Sequence, residues 1–478
     1  REDMTMAAPL YQAIRDFTKK EKASFHMPGH KNGRGIPASF KKSAFAIDTT
    51  ELMGTDNLHA PEGAIIEAEQ LAAEAFGSKH TFFCVNGATG ALHAAILSAV
   101  GRGGKLIAGR SSHASVIAAC MLYDIEIVFY EESFLEAFGI PAMPSYKSII
   151  EILDKHADAK AFLITSPNYY GICGDIAKAA QAVHRRGMAL IADEAHGAHF
   201  SFSSLLPKSA VRLGADYTVN SAHKTLSAPT QTAFLHIAGS LAEEETVRYH
   251  LSLTETSSPS YLFLCAMDLA REKAQKEGKN AYASLVRNLI FFRHQLERKT
   301  KCRTLGGDQT GFANVFALDP TRLVINFRKY DIAASEISAR LANEYGIYAE
   351  MADRENLVCL LTPDNTLRDL QRLSHALTKL CAGLTERTAA DAPAAPPPLG
   401  DPPVRPSQAF SSPGTKIALS EAAGKISKRA VSVYPPNIPI LIPGSLITPE
   451  AISYLQACAK DGLSIAGMEK DMLWVLRD

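Results

Sequence analysis

From about residue 80 onward, short apolar runs recur along the chain with amphipathic stretches between them. The runs are Thr81–Val85, Lys105–Ala108, Ile125–Phe129, Ala161–Thr165, Met188–Asp193, Tyr217–Asn220 and Thr232–His236. They are almost continuously apolar, as strands buried on both faces must be. Helical periods separate most of them, for example Ala91–Val100 and Ile176–Arg186, and Glu62–Phe76 precedes the first. The pattern predicts an α/β domain over residues 61–300, with a mainly parallel seven-stranded sheet covered on both faces.

The flanking regions read differently. Residues 1–60 form an irregular arm in which Pro28-Gly29-His30-Lys31-Asn32-Gly33 has the character of a loop. Residues 301–385 carry a strand at Leu323–Phe327, a helix at Ile332–Tyr345, strands at Tyr348–Met351 and Leu357–Leu361, and a helix at Leu367–Leu380. That order predicts a compact α+β small domain. Residues 386–414, with Ala394-Ala395-Pro396-Pro397-Pro398 inside them, read as a semi-rigid linker without core-forming residues. Residues 415–478 form a C-terminal module with turn signals at Tyr434-Pro435-Pro436-Asn437 and Pro443-Gly444.

Composition narrows the classes. Lysine plus arginine balances aspartate plus glutamate at 50 each, so no global field selects nucleic acid or an anionic membrane surface. The eight cysteines are scattered without CxxC pairs, which suits a reduced, cytoplasmic protein using thiols as small apolar residues. No apolar segment is long enough for a transmembrane helix, and Arg1-Glu2-Asp3 does not open like a secretory signal.

Ligands of such sheets sit at the carboxyl ends of strands, which is where Asp193 and Ser221-Ala222-His223-Lys224 fall. A carboxylate at one strand end and a lysine at the next are the two protein groups that pyridoxal phosphate needs. The lysine amine bonds to the cofactor aldehyde, and the carboxylate keeps the pyridine nitrogen protonated. Upstream, Asn86-Gly87-Ala88-Thr89-Gly90 follows the first strand and opens a helix. By itself it reads as a glycine turn with Thr89 as helix cap; upstream of that acid and lysine, it reads as a phosphate loop. His113 follows the second strand, where its ring can stack on a flat cofactor, and the small Ala195 would let that ring lie against the backbone. His196 and His199 invite a metal reading, which is disfavoured because no further ligands follow at zinc-like spacing.

These stretches together resemble the ornithine/lysine/arginine decarboxylase family of fold-type-I pyridoxal phosphate enzymes, in its short bacterial form. The lysine signature Val219-Asn220-Ser221-Ala222-His223-Lys224, continuing to Gln231-Thr232-Ala233, is the most specific match. His26–Lys31, Asp48-Thr49-Thr50-Glu51, Leu58–Gly63, Arg110–Ser115, Asp193–Gly197 and Thr254–Tyr261 match as well. The resemblance implies an aspartate aminotransferase-like large domain and decarboxylation of a basic L-amino acid: arginine first, with lysine or ornithine next, in polyamine-type metabolism. It makes Lys224 the Schiff-base lysine, Asp193 the partner of the pyridine nitrogen and His113 the stacking residue. Gly87, Ala88, Thr89, Ser221 and His223 would surround the phosphate, with Ala195 and His196 completing the cofactor site. Ser257 or Ser258 would reach the phosphate of a neighbouring subunit, so a homodimer is the smallest active unit.

Three positions depart from the family pattern. Ala88 stands where a Ser or Thr is common, Asn437 replaces a glycine, and Ser445 replaces a glutamate. The last removes a carboxylate that could hold a basic side chain, for which Asp48, Glu51, Asp56 and Glu255 are other candidates. The competing readings are another pyridoxal phosphate reaction, such as transamination or elimination, and a weakened regulatory relative.

Overall fold

The structure is a computed structural model describing residues 8–20, 22–387, 395–434, 438–460 and 462–477. Asn437 lies outside the described residues. The large domain is built on strands β1 (His80–Cys84), β2 (Lys105–Gly109), β3 (Glu126–Tyr130), β4 (Ala161–Thr165), β5 (Ala189–Asp193), β6 (Tyr217–Ser221) and β7 (Ala233–Ile237). They form one seven-stranded sheet in the order β1-β7-β6-β5-β4-β2-β3. Strand β7 runs antiparallel to both neighbours, and every other pairing is parallel.

Successive side chains of a strand face opposite ways, so a continuously apolar strand needs cover on both sides. Leu106 and Ala108 of β2 pack with Leu92 and Ile96 of helix α2 (Gly87–Val100), which follows α1 (Ala64–Phe76). Val116 of α3 (Ala114–Leu122) joins the same layer. Ile107, between those two β2 residues, faces the other way, with Phe162, Leu190, Ile152 of α4 (Tyr146–Lys155) and Val183 of α5 (Ile176–His184). Each buried Leu or Ile of this kind contributes about 1.5–3 kcal/mol.

The short helix α6 (Ala222–Thr225) leaves the end of β6, and the 39-residue helix α7 (Tyr261–Lys299) leads to the small domain. Near the middle of α7 stands Gly278, where a Cβ would come within 2.8 Å of the Phe202 side chain. The glycine therefore accepts a weak helix propensity in return for close approach.

In the small domain, Arg303–Thr304, Arg322–Asn326, Asn356–Leu360 and Met351–Ala352 form a four-stranded antiparallel sheet in that order. Its helices are Ala334–Tyr345 and Leu367–Ala382, the latter opened by a Thr366/Asp369 capping box. The arm is tied to this domain. Ala23–Phe25 pairs in parallel with Ile347–Ala349, and Arg34 meets Asp369 at 2.8 Å.

Residues 395–412 are more than a spacer. Leu399, only 9% exposed, joins the apolar layer beside α2, and Pro406–Ser411 forms a short helix. Lys155 holds Asp401 at 2.7 Å, and the Arg110 guanidinium donates to the Pro397 carbonyl. The Pro-rich composition concealed this because one leucine, placed by contacts distant in sequence, supplies the anchor. The C-terminal module pairs Gly414–Ala418 with Met472–Leu476 and Val431–Tyr434 with both Ile438–Leu441 and Ser464–Ala466, around its own core. Among the described residues, no helix is long and apolar enough to cross a membrane.

Candidate active site

Parallel strands that end in register bring their terminal residues side by side. Asp193 closes β5, and the register pairs it with Thr165 of β4 on one side and Val219 of β6 on the other. Its carboxylate is 2% exposed and accepts the Ala195 amide at 3.2 Å. One turn beyond the end of β6, Lys224 projects from α6 with its amine 3.1 Å from His196 Nε2. Burial lowers the Lys224 pKa below the ordinary lysine value, against the pull of the Asp193 charge. The acid and lysine expected from the sequence thus lie close enough for the Asp193 charge to act on the Lys224 amine.

His113 caps the N-terminus of α3, and its Nδ1 accepts the Ser115 amide at 3.2 Å. A neutral imidazole with Nδ1 accepting carries its proton on Nε2. Burial pushes its pKa down, while the Asp193 charge opposes and the Lys224 charge assists that shift. Gly87, Ala88 and Thr89 form the first turn of α2. Gly87 holds φ at +67°, a conformation that L side chains rarely adopt, and its amide donates to the Gln231 carbonyl. Thr89 is exposed at this helix end. Ser221 is buried with a hydroxyl that has no partner among the described residues, and His223 Nδ1 lies 3.1 Å from the Thr232 carbonyl.

This set fits pyridoxal phosphate. It offers an amine of lowered basicity, a buried carboxylate, an unpartnered hydroxyl and a helix N-terminus built from small residues.

Other expected residues lie elsewhere. Ser257 and Ser258 are exposed in a bend beyond Glu255, and Ser258 donates its amide to Thr256 Oγ1 at 3.2 Å. Asp56 accepts the amides of Glu62, Gly63 and Ile65 at 2.8–2.9 Å, which makes it a cap for the start of α1. Asp48 and Glu51 are exposed. Glu255 lies 3.4 Å from the Asn86 amide, and burial raises its pKa to about 7. Ser445 is buried inside the C-terminal module, where its hydroxyl accepts the Ile442 amide at 3.1 Å. His199 faces Asp319 and Thr321 while His196 faces Lys224 and Arg322, so the two histidines point to different partners.

Three residues not expected from the strand ends also come together around His196 and Lys224. Glu350, just past Ile347–Ala349, accepts the Tyr169 hydroxyl at 2.6 Å and the Met27 amide at 2.8 Å. Its charge acts on both Lys224 and His223. Tyr169 sets its ring edge-on to His196, with centroids 5.0 Å apart. Arg322, the first residue of a small-domain strand, reaches His196 Nδ1 at 2.8 Å. The only local signal for Glu350 was its place after a short strand.

Residues 8–310 match the family model described as Orn/Lys/Arg decarboxylase, major domain, and residues 401–476 match the C-terminal domain of the same family. A Bacillus subtilis protein named arginine decarboxylase is 32% identical over 475 residues, covering 98% of this chain and 97% of its own length. The Francisella novicida lysine decarboxylase structure superposes with a TM-score of 0.77 at 19% identity, over 98% of this chain and 81% of that one. An alanine–glyoxylate aminotransferase from Nostoc gives a TM-score of 0.57 at 14% identity, covering 76% of this chain and 96% of its own. The fold is therefore that of the fold-type-I enzymes, and by sequence the chain belongs to the Orn/Lys/Arg decarboxylase family.

Proposed function

We propose that this chain removes the α-carboxyl group of a basic L-amino acid with pyridoxal phosphate as cofactor, arginine being the preferred substrate and lysine or ornithine next. The observation that carries the reading is the Lys224 amine, lowered in pKa by burial, within the field of the buried Asp193 carboxylate at the neighbouring strand end, with Glu350 as a further acid acting on it. The relatives named arginine decarboxylase, at 32% identity over nearly full length, support arginine.

Lys224 would hold the cofactor covalently, Asp193 its ring nitrogen, His113 and Ala195 its two faces, and Gly87, Ala88, Thr89, Ser221 and His223 its phosphate. Bound there, pyridoxal phosphate supplies an electron sink for the pair released when the carboxylate leaves. The Asp193 carboxylate keeps a positive charge next to it by accepting a hydrogen bond. His113 Nε2–H and the Lys224 amine are the groups that deliver a proton to the α-carbon. Glu350 offers its carboxylate to the cationic end of the substrate, steadied by the Tyr169 hydroxyl and the Met27 amide. Ser257 and Ser258 serve the phosphate site of a second copy, and their exposure supports that assignment.

The test is a screen of arginine, lysine and ornithine for carbon dioxide release, with the amine product identified by mass. Agmatine from arginine is the expected result, whereas a keto acid would sink the reading in favour of transamination. Glu350→Gln tests the acid. Losing a charge-assisted hydrogen bond costs about 1.5–3 kcal/mol, so KM for arginine should rise roughly ten- to a hundredfold. An unchanged KM would assign the cationic end to another residue.

A further inference from the structure

Three side chains from three parts of the fold form a chain of short contacts in the pocket. Arg322, from the small-domain strand Arg322–Asn326, is 3% exposed and places one guanidinium nitrogen 2.8 Å from His196 Nδ1. His196, three residues past Asp193, places Nε2 3.1 Å from the Lys224 amine. The other two guanidinium nitrogens of Arg322 are buried without hydrogen-bond partners among the described residues.

The chemistry of the donors orders the protons. A guanidinium only donates, so His196 Nδ1 must accept and a neutral His196 must carry its hydrogen on Nε2. That N–H points at the lysine nitrogen. An ammonium has no lone pair to receive it, and a neutral amine does. We propose that Arg322 is a positioning residue: it fixes His196 as an Nε2–H donor, and His196 in turn holds the Lys224 amine neutral and aimed for attack on an aldehyde carbon.

Burial acts in the same direction. His196 is pushed well below the ordinary histidine range by burial and by the neighbouring Lys224 and Arg322 charges. Lys224 is lowered first by burial and then by Arg322, with Asp193 and Glu350 opposing. The Lys224 charge also acts on His113 and His223, and burial lowers both. The two acids favour the charged lysine, so the relay acts against them. Arg322 does not suit the departing carboxylate, because a guanidinium bound to that group would stabilise it before it leaves.

The proposal rests on the reading of Lys224 as the cofactor-binding lysine and adds how its amine is prepared. Attack forms a carbon–nitrogen bond, and loss of the aldehyde oxygen as water turns it into a double bond, so no oxidant is consumed. Borohydride then reduces that bond to a secondary amine that peptide mass spectrometry can locate.

The experiment mixes the full chain, freed of bound carbonyl compounds, with pyridoxal phosphate across a pH series. Capture is stopped with borohydride, and the rate at Lys224 is read. In Arg322→Leu and in His196→Phe the pH midpoint should move up by about one unit, a roughly tenfold loss of rate below it. Arg322→Lys, which still donates to Nδ1, should recover part of that loss. His196→Phe leaves the arginine charge in place, so a shift there separates the relay from simple repulsion between cations. Capture at Lys224 with an unmoved midpoint in His196→Phe overturns the relay and leaves the lysine assignment standing. Absence of capture at Lys224 in the unaltered chain overturns both. A melting curve for each variant identifies any that fails to fold, and the remaining variant then decides.

Discussion

Lys224→Ala abolishes release of carbon dioxide from arginine, lysine and ornithine alike. Loss of a covalent-catalysis nucleophile costs on the order of 10⁴–10⁶ in kcat, so the remaining rate falls below ordinary assay limits. The visible absorption that covalent attachment gives the cofactor disappears with it. Lys224→Arg fares no better, because a guanidinium stays protonated at any working pH and offers no nucleophilic lone pair. Neither variant should melt much below the parent, since the lysine amine is a costly group to bury and, among the described residues, hydrogen-bonds to His196 alone. Measurable turnover in either variant, with melting unchanged, would remove Lys224 from the chemistry altogether.

Asp193→Asn is the second large effect and separates catalysis from stability. The amide preserves size and can still accept the Ala195 N–H, but it carries no charge to favour a cation beside it. We expect kcat to fall by on the order of 10³, the scale of a preorganised electrostatic contact in a dry site. The melting temperature should hold, because the amide fills the same space and keeps the Ala195 hydrogen bond. Steady-state kinetics and a melting curve on one preparation decide the matter. Equal falls in activity and stability would mark Asp193 as a structural residue.

The proposed pair could be read from the sequence because Asp193 ends one apolar run and Lys224 stands one turn beyond another, and strand ends in parallel sheets are where ligands gather. The strands themselves were readable for the same reason: double burial leaves them few polar interruptions, and the observed bounds differ from the expected ones by about a residue. Helix α7 was harder to see. Its mixture of charged and apolar residues, broken by Gly278, becomes coherent only when Phe202 is found against that glycine. Glu350 and Arg322 were not legible. Both belong to the small domain and enter the pocket through contacts with His196, Tyr169 and Met27, more than a hundred positions away in sequence. Asp56, one of four acids that could have met a basic substrate but each of which reads more readily as a solvated or structural charge, is occupied by three amides at the start of α1.

The grip of Met27 on Glu350 is made by main chain, at a point set by the parallel pairing of Ala23–Phe25 with Ile347–Ala349. A survey that swaps side chains one at a time would pass over it, since every replacement except proline keeps the donor. Replacing that single peptide link with an ester, which deletes the N–H alone, is the alteration to which substrate choice should respond.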